Sequence, residues 1–195
     1  LPHNWSVAME FVSIDFETAN SAAASPCAVG LVRVIDGQRA ETLSMLFRPP
    51  APNNWFHEGN IRIHGIRPED VAEAPTFEDV LPELLLFTDG LPLLAHNASF
   101  DMGVLRASAA AINFDLPSLA YGCTLLMARK TYNLESYRLN AIAYAIGLEE
   151  FNHHDALADA DACARIAIHM AERHEVESLE ELLNKTKQRL KPLVV

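Results

Sequence analysis

Cysteine is scarce and badly placed for crosslinking: Cys27, Cys123 and Cys163 are the 3 cysteines of 195 residues, far apart, and they form no CxxC pair. That excludes a disulfide framework, and it fits a reducing, cytoplasmic compartment. Long apolar runs are missing too. None nears the roughly 18 residues that a membrane span needs, and the opening LPHNWSVAMEF has no basic region followed by an apolar stretch, so neither membrane insertion nor secretion is expected. Positive charge is the third shortage. With 15 Lys and Arg against 26 Asp and Glu, the net charge is −11, so any polyanionic partner must be met locally rather than by general attraction.

What is present reads as one folded domain. Half the residues are hydrophobic and 21% charged, which excludes disorder, and the length suits one sizeable core. Residue 1 is Leu and the last stretch is KPLVV, which leaves open a longer parent protein. The pattern predicts strands at 10–16 (EFVSIDF), 27–35 and 41–47, the last two joined by Asp36-Gly37 as a hairpin. Residues 49–60, rich in Pro and Asn with Trp55 and Phe56, read as a long irregular loop. A fourth strand is expected at 91–95, and helices at 76–87, 99–112, 123–131, 138–147, 155–173 and 179–190. Strands early and helices late give an α/β domain with a mixed sheet.

Three stretches carry chemistry. In Asp15-Phe16-Glu17 the alternation of an extended chain sends both carboxylates to one face, where they repel unless a cation compensates; a solvated strand end is the simpler reading of this tripeptide alone. His96-Asn97-Ala98-Ser99-Phe100-Asp101 follows the fourth strand, at the sheet edge where α/β proteins place ligands. There Ser99 is expected to cap a helix whose dipole favours Asp101. In the run from His153 to Asp161, Asp155 serves as an N-cap. An acid-rich first helix turn explains Asp159, among small and apolar residues on a helix expected to be largely buried, much less well, and a buried carboxylate needs a partner.

Together these residues resemble the DEDDh family of 3′→5′ exonucleases, which includes the proofreading subunit of bacterial DNA polymerase III, oligoribonuclease and ribonuclease T. IDFET at 14–18, AHNASFD at 95–101 and HDALADA at 154–160 match its three motifs in order, and IHGI at 63–66 is similar to a segment used near the terminal nucleotide. The match spans roughly residues 10–173 and lacks no catalytic position.

The resemblance implies a ribonuclease H-like fold: a mixed central sheet of about five strands flanked by helices, with residues 9–175 as the exonuclease domain. The fifth strand is hard to place between 114 and 122, where Pro117 interrupts the run. Residues 176–195 would be a helical extension, packed on the domain or leading to a missing segment. The resemblance also implies that Asp15, Glu17, Asp101 and Asp159 hold two divalent ions. Hard oxygen ligands suit Mg²⁺ or Mn²⁺ better than Zn²⁺. His154 would be the general base, because it and not His153 stands five residues before Asp159. Thr18, His64, Gly65, Asn97 and Phe100 would position the last nucleotide. The acidic charge implies a small footprint on a nucleic-acid 3′ end, with single strands preferred, and the resemblance implies a DNA polymerase as a candidate partner. DNA is the first reading. An exoribonuclease of the oligoribonuclease or ribonuclease T kind, and a non-catalytic polymerase-interaction module, stand as alternatives, because the motifs do not encode the sugar.

Overall fold

FVSIDFET sets the axis of the molecule. This run forms β1 (Phe11–Thr18), in which every residue but Asp15 is buried, in a computed structural model that describes residues 8–148 and 152–193. Most of the opening LPHNWSVAMEF and the end of the C-terminal extension, residues 194–195, lie outside the described residues. Alternation along β1 divides the interior in two. Val12, Ile14 and Phe16 join one buried cluster, while Phe11 joins the other, on the face that also carries Ser13, Asp15 and Glu17.

β2 (Pro26–Ile35) and β3 (Gln38–Leu46) extend the sheet antiparallel from β1, joined through Asp36 and Gly37, both at positive φ, as a tight hairpin requires. Next come α1 (Glu58–His64), α2 (Phe77–Thr88), β4 (Leu93–Ala95) and α3 (Ser99–Ala111). The chain continues through β5 (Leu119–Cys123), α4 (Thr124–Thr131), α5 (Leu139–Ala145) and α6 (Ala156–Arg173), and ends in α7 (Leu179–Lys185) and β6 (Lys191–Leu193). The sheet order is β3-β2-β1-β4-β5-β6, with β4 and β5 parallel to β1 and β6 antiparallel to β5. Phe77, Leu81 and Leu84 of α2 and Met102 and Leu105 of α3 cover one face. Helix α6 crosses β1 and β2 on the other, with Met127 of α4, Ile142 of α5 and Leu182 of α7 packed beside it.

Several expectations change. The mixed sheet has six strands rather than about five. The fifth starts at Leu119, just past Pro117, which supplies no ladder N–H and so falls outside it. The sixth is the tripeptide Lys-Pro-Leu, tolerated because an edge strand can leave one side unpaired. The helix expected over 179–190 therefore stops at Lys185. The 49–60 segment is irregular only to His57, whose Nδ1 accepts from Gly59 N–H at 3.0 Å and caps α1. Ser99 is not an N-cap: Asn97 takes φ 68°, Ala98 is already helical, and Ala98 occupies the cap position.

Candidate active site

The acidic face of β1 is completed by α6. Asp155 caps that helix, its side chain accepting from Ala158 N–H at 2.9 Å, and one turn later Asp159 is buried against the sheet. Two contacts hold α6 close. Ser13 Oγ donates to the Ala160 carbonyl at 2.7 Å. Opposite Asp15 in the ladder stands Gly30, where a Cβ would fall 2.2 Å from the Ala156 carbonyl oxygen; only a hydrogen there lets the helix start reach Asp15. One oxygen each of Asp15, Glu17 and Asp159 then lie within 4.8 Å of one another.

Asp101 approaches from the first turn of α3. Since β4 pairs with β1 only at Val12 and Ser13, the Phe16 amide beyond it has no strand partner on that side and donates to Asp101 Oδ1 at 3.0 Å. Asp101 is 1% exposed. It falls outside the 4.8 Å cluster yet acts on it electrostatically.

Three of these carboxyls, Asp15, Glu17 and Asp101, are held well above their ordinary range. Burial, then the charges of Asp101, Asp159 and Glu17, raise Asp15. Burial, then Asp159 and Asp101, push Glu17 up to about 8. Asp101 rises to about 7, chiefly by burial, with the Phe16 amide pulling the other way. Among the described residues no lysine or arginine pairs with Asp15, Glu17, Asp101 or Asp159. A largely buried, oxygen-rich cluster that no lysine or arginine pairs with among the described residues is a donor set that fits hard divalent ions. Burial keeps the Cys27 and Cys163 thiols protonated, and no cysteine belongs to the cluster.

The two adjacent histidines differ. His153 Nδ1 lies 2.8 Å from Asp159 Oδ1 and 3.0 Å from Oδ2. His154, at φ 73°, gives its backbone N–H to Oδ2 at 3.1 Å, and its ring stacks on His153 with centroids 3.8 Å apart. Burial and His153 lower the His154 pKa below 6.5.

Thr18 and His64 meet. The Thr18 carbonyl accepts from Asn60 Nδ2 at 2.8 Å and from His64 Nε2 at 3.1 Å, while His64 Nδ1 accepts from Ile66 N–H at 3.0 Å. With both ring nitrogens occupied, neutral His64 fastens α1 to the end of β1. Gly65 caps α1 at φ 79°, with no atom within 4 Å of where a Cβ would stand. Asn97 lines an open cleft of about 620 Å³ together with Asp15, His153 and Asp159. Phe100, 47% exposed on α3, does not line it. His96 is occupied structurally, its Nε2 donating to the Tyr137 carbonyl at 2.8 Å.

Sequence reasoning missed His153 as a partner of Asp159, and it missed Arg129 and Arg138, which also line the cleft. Three of the chain's 15 basic residues, Arg129, Lys130 and Arg138, fall within ten positions, a local concentration that could have drawn attention in so acidic a chain.

The model of the exonuclease family matches residues 12–167. The PolC-type DNA polymerase III of Caldanaerobacter subterraneus subsp. tengcongensis is 30% identical over 179 residues, covering 89% of this chain but 12% of that protein. The DNA polymerase III subunit epsilon of Pasteurella multocida is 31% identical over 124 residues, 61% of this chain and 49% of the subunit. The chain thus spans about an eighth of the length of its PolC-type relatives. Exonuclease X, solved in complex with 5′ overhanging duplex DNA, superposes with a TM-score of 0.69 at 26% identity, over 90% of this chain and 98% of that one. The nuclease domain of 3′hExo, a DEDDh family member bound to rAMP, shares the fold with a TM-score of 0.77 at 18% identity, over 95% and 98% of the two chains.

Proposed function

The chain belongs to the exonuclease family, and from that premise we propose that it hydrolyses phosphodiester bonds at the 3′ end of DNA, one nucleotide at a time, as a proofreading or repair enzyme of the cytoplasm. The observation that carries this reading is the convergence of Asp15, Glu17 and Asp159 from β1 and α6, with Asp101 acting on them from α3. These four acids would hold two divalent ions, Mg²⁺ or Mn²⁺. When bound, such ions supply Lewis-acid stabilisation of charge at the attacking and departing oxygens of the phosphate.

The chain's own groups do the rest. Asp159 is oriented by the His153 ring and the His154 amide. The lowered pKa of His154 leaves its imidazole neutral near pH 7, the state in which a ring nitrogen can take the proton of the attacking water. Thr18, tied through its carbonyl to Asn60 and His64, Gly65 with its open face, Asn97 on the cleft wall, and Phe100 are assigned to the terminal nucleotide. An acidic protein with one acid-lined cleft has little with which to hold a duplex, so single strands are preferred. A polymerase is the proposed partner, by analogy with relatives that are polymerase III chains.

The test is digestion of 5′-labelled single-stranded DNA and RNA side by side, with Mn²⁺ and with EDTA. A ladder of products shortened from the 3′ end on DNA, abolished by EDTA, is expected. Faster digestion of RNA would overturn the DNA assignment, and activity unaffected by EDTA would overturn the metal assignment.

A further inference from the structure

The cleft that holds Asp15 and Asp159 does not end at the acids. A second cavity of about 360 Å³ adjoins it, and the two share Asn97, Leu125 and Arg129. Both open where the parallel strands β4 and β5 end, the edge at which such sheets receive ligands. The charge changes sign along this line. The first cavity carries Asp15, Glu135 and Asp159 beside Arg129 and Arg138; the second carries Arg129, Arg189 and Lys191 and, among the described residues, no acidic side chain. In a chain of net charge −11 such a strip is unlike its surroundings. All three cations are exposed, and none is paired with a carboxylate among the described residues.

Their placement is fixed from beneath. Lys191 stands opposite Tyr121 in the β5–β6 ladder, Leu190 packs on the core cluster of α6 and α7, and the Gln188 amide donates to the Leu183 carbonyl at 2.8 Å. The segment that carries Arg189 and Lys191 is therefore anchored on both sides before any ligand arrives, which lowers the ordering cost of binding.

We infer that Arg129, Arg189 and Lys191 form a phosphate track, along which the backbone of a single strand leaves the acidic cluster and runs over the C-terminal segment. The inference rests on the reading that the cleft takes a nucleic-acid 3′ end, and it names where the strand behind that end lies. Phosphate contacts of this kind set position and are indifferent to sequence. The track also accounts for how so acidic a protein holds a polyanion: the cations are few, local and contiguous with the site.

The experiment is fluorescence anisotropy with 5′-labelled dT12 and rU12 in EDTA at several salt concentrations, comparing the whole chain with R189A/K191A and with K130A/K185A. The control pair removes the same charge from exposed positions that line neither cavity. R189A/K191A is expected to bind both oligonucleotides about tenfold or more weakly at low salt, with the slope of log affinity against log salt reduced by about 1.4, at roughly 0.7 per lost phosphate contact. K130A/K185A should bind as the parent does. Should R189A/K191A melt early, R189Q/K191Q keeps the chain length and hydrogen bonding and serves in its place. Unchanged binding, an equal loss in the control pair, or a loss confined to one of the two sugars would overturn the track. Turnover of the dinucleotide TpT with Mn²⁺ separates the two readings, because it needs the acids and not the track. A parent protein that cleaves nothing, with the binding loss still seen in R189A/K191A, keeps the track and loses the exonuclease reading, while cleavage of TpT with no binding loss in that variant does the reverse.

Discussion

The Nδ1 of His153 lies 2.8 Å from Asp159 Oδ1, whereas His154 meets the same carboxylate through its backbone amide, 3.1 Å from Oδ2. Neighbouring residues of one type thus divide the work. The His153 ring orients a proposed metal ligand, and the His154 ring is the proposed proton acceptor. His154→Ala is expected to cost about a hundredfold or more in turnover while the Mn²⁺ concentration for half-maximal activity stays put. In His153→Ala that concentration should rise, with turnover at saturating Mn²⁺ much less affected. Equal losses of turnover in the two variants at saturating Mn²⁺ would contradict the division.

Gly30 makes the approach of α6 possible, and its replacement has a definite sign. The Cβ of Gly30→Ala would meet the Ala156 backbone, with its carbonyl oxygen at 2.2 Å and Leu157 Cα at 2.4 Å, and backbone cannot swing aside as a side chain can. Overpacking of this kind costs about 1–3 kcal/mol. It pushes the helix start away from Asp15, so Mn²⁺ affinity should fall along with the melting temperature. Gly103, within α3 and with nothing inside 4 Å, is the counterpart: Gly103→Ala should stabilise by up to about 1 kcal/mol through helix propensity. Calorimetry of both variants, with a Mn²⁺ titration, checks the pair.

The parts of the site that were legible in the sequence are those in which neighbours along the chain remain neighbours in space. Asp15 and Glu17 share a face because a strand alternates, and Asp159 stood out because a carboxylate amid alanines on a buried helix needs a partner. What stayed hidden depends on geometry that no local pattern carries. Helix α1 has seven residues, too few for periodicity, and its cap is a histidine. The grip of His153 on Asp159 requires the turn that puts His154 at φ 73°. β6 runs through a proline and exists because β5 offers it an edge. Ser99 satisfies every rule for an N-cap except that Asn97 has already turned the chain.

Direction can be tested without mutation. Asp15 and Asp159 line the open cleft, and the proposed contacts at Thr18, Gly65 and Asn97 engage a terminal nucleotide. Linear single-stranded DNA should therefore lose mononucleotides from its 3′ end, while an intact single-stranded circle survives the same treatment, as read on a denaturing gel. Linearisation of the circle would contradict an exonuclease assignment outright.

The acidic cluster also makes a statement about stability. Without metal, the folded state holds Glu17 at about 8 against an ordinary 4.5, and Asp101 at about 7 against 3.8. A carboxyl raised in the folded state contributes stability below its unfolded pKa, and that stability is lost as pH rises through the folded value. In EDTA the contribution of these groups should thus fall from pH 3.8, where Asp101 begins, to about pH 8, where Glu17 ends. Asp101→Asn removes one charge, yet its side-chain oxygen can still accept the Phe16 amide, so it should relieve the repulsion without losing that bond. Its melting temperature in EDTA is expected to exceed that of the parent, by little at pH 5 and by more toward pH 8. Excess Mn²⁺ should reverse the order at pH 8, because a ligand that binds only the folded state stabilises it by about 2.7 kcal/mol at a hundredfold excess over Kd, and the variant, short of one ligand, gains less. The activity of Asp101→Asn should be lost throughout, the cost of charge kept for function rather than for folding. Thermal melts across this pH range, with EDTA and with Mn²⁺, decide the matter. A parent indifferent to Mn²⁺, paired with a variant less stable in EDTA at every pH, would mean that these acids make ordinary structural contacts and hold no metal.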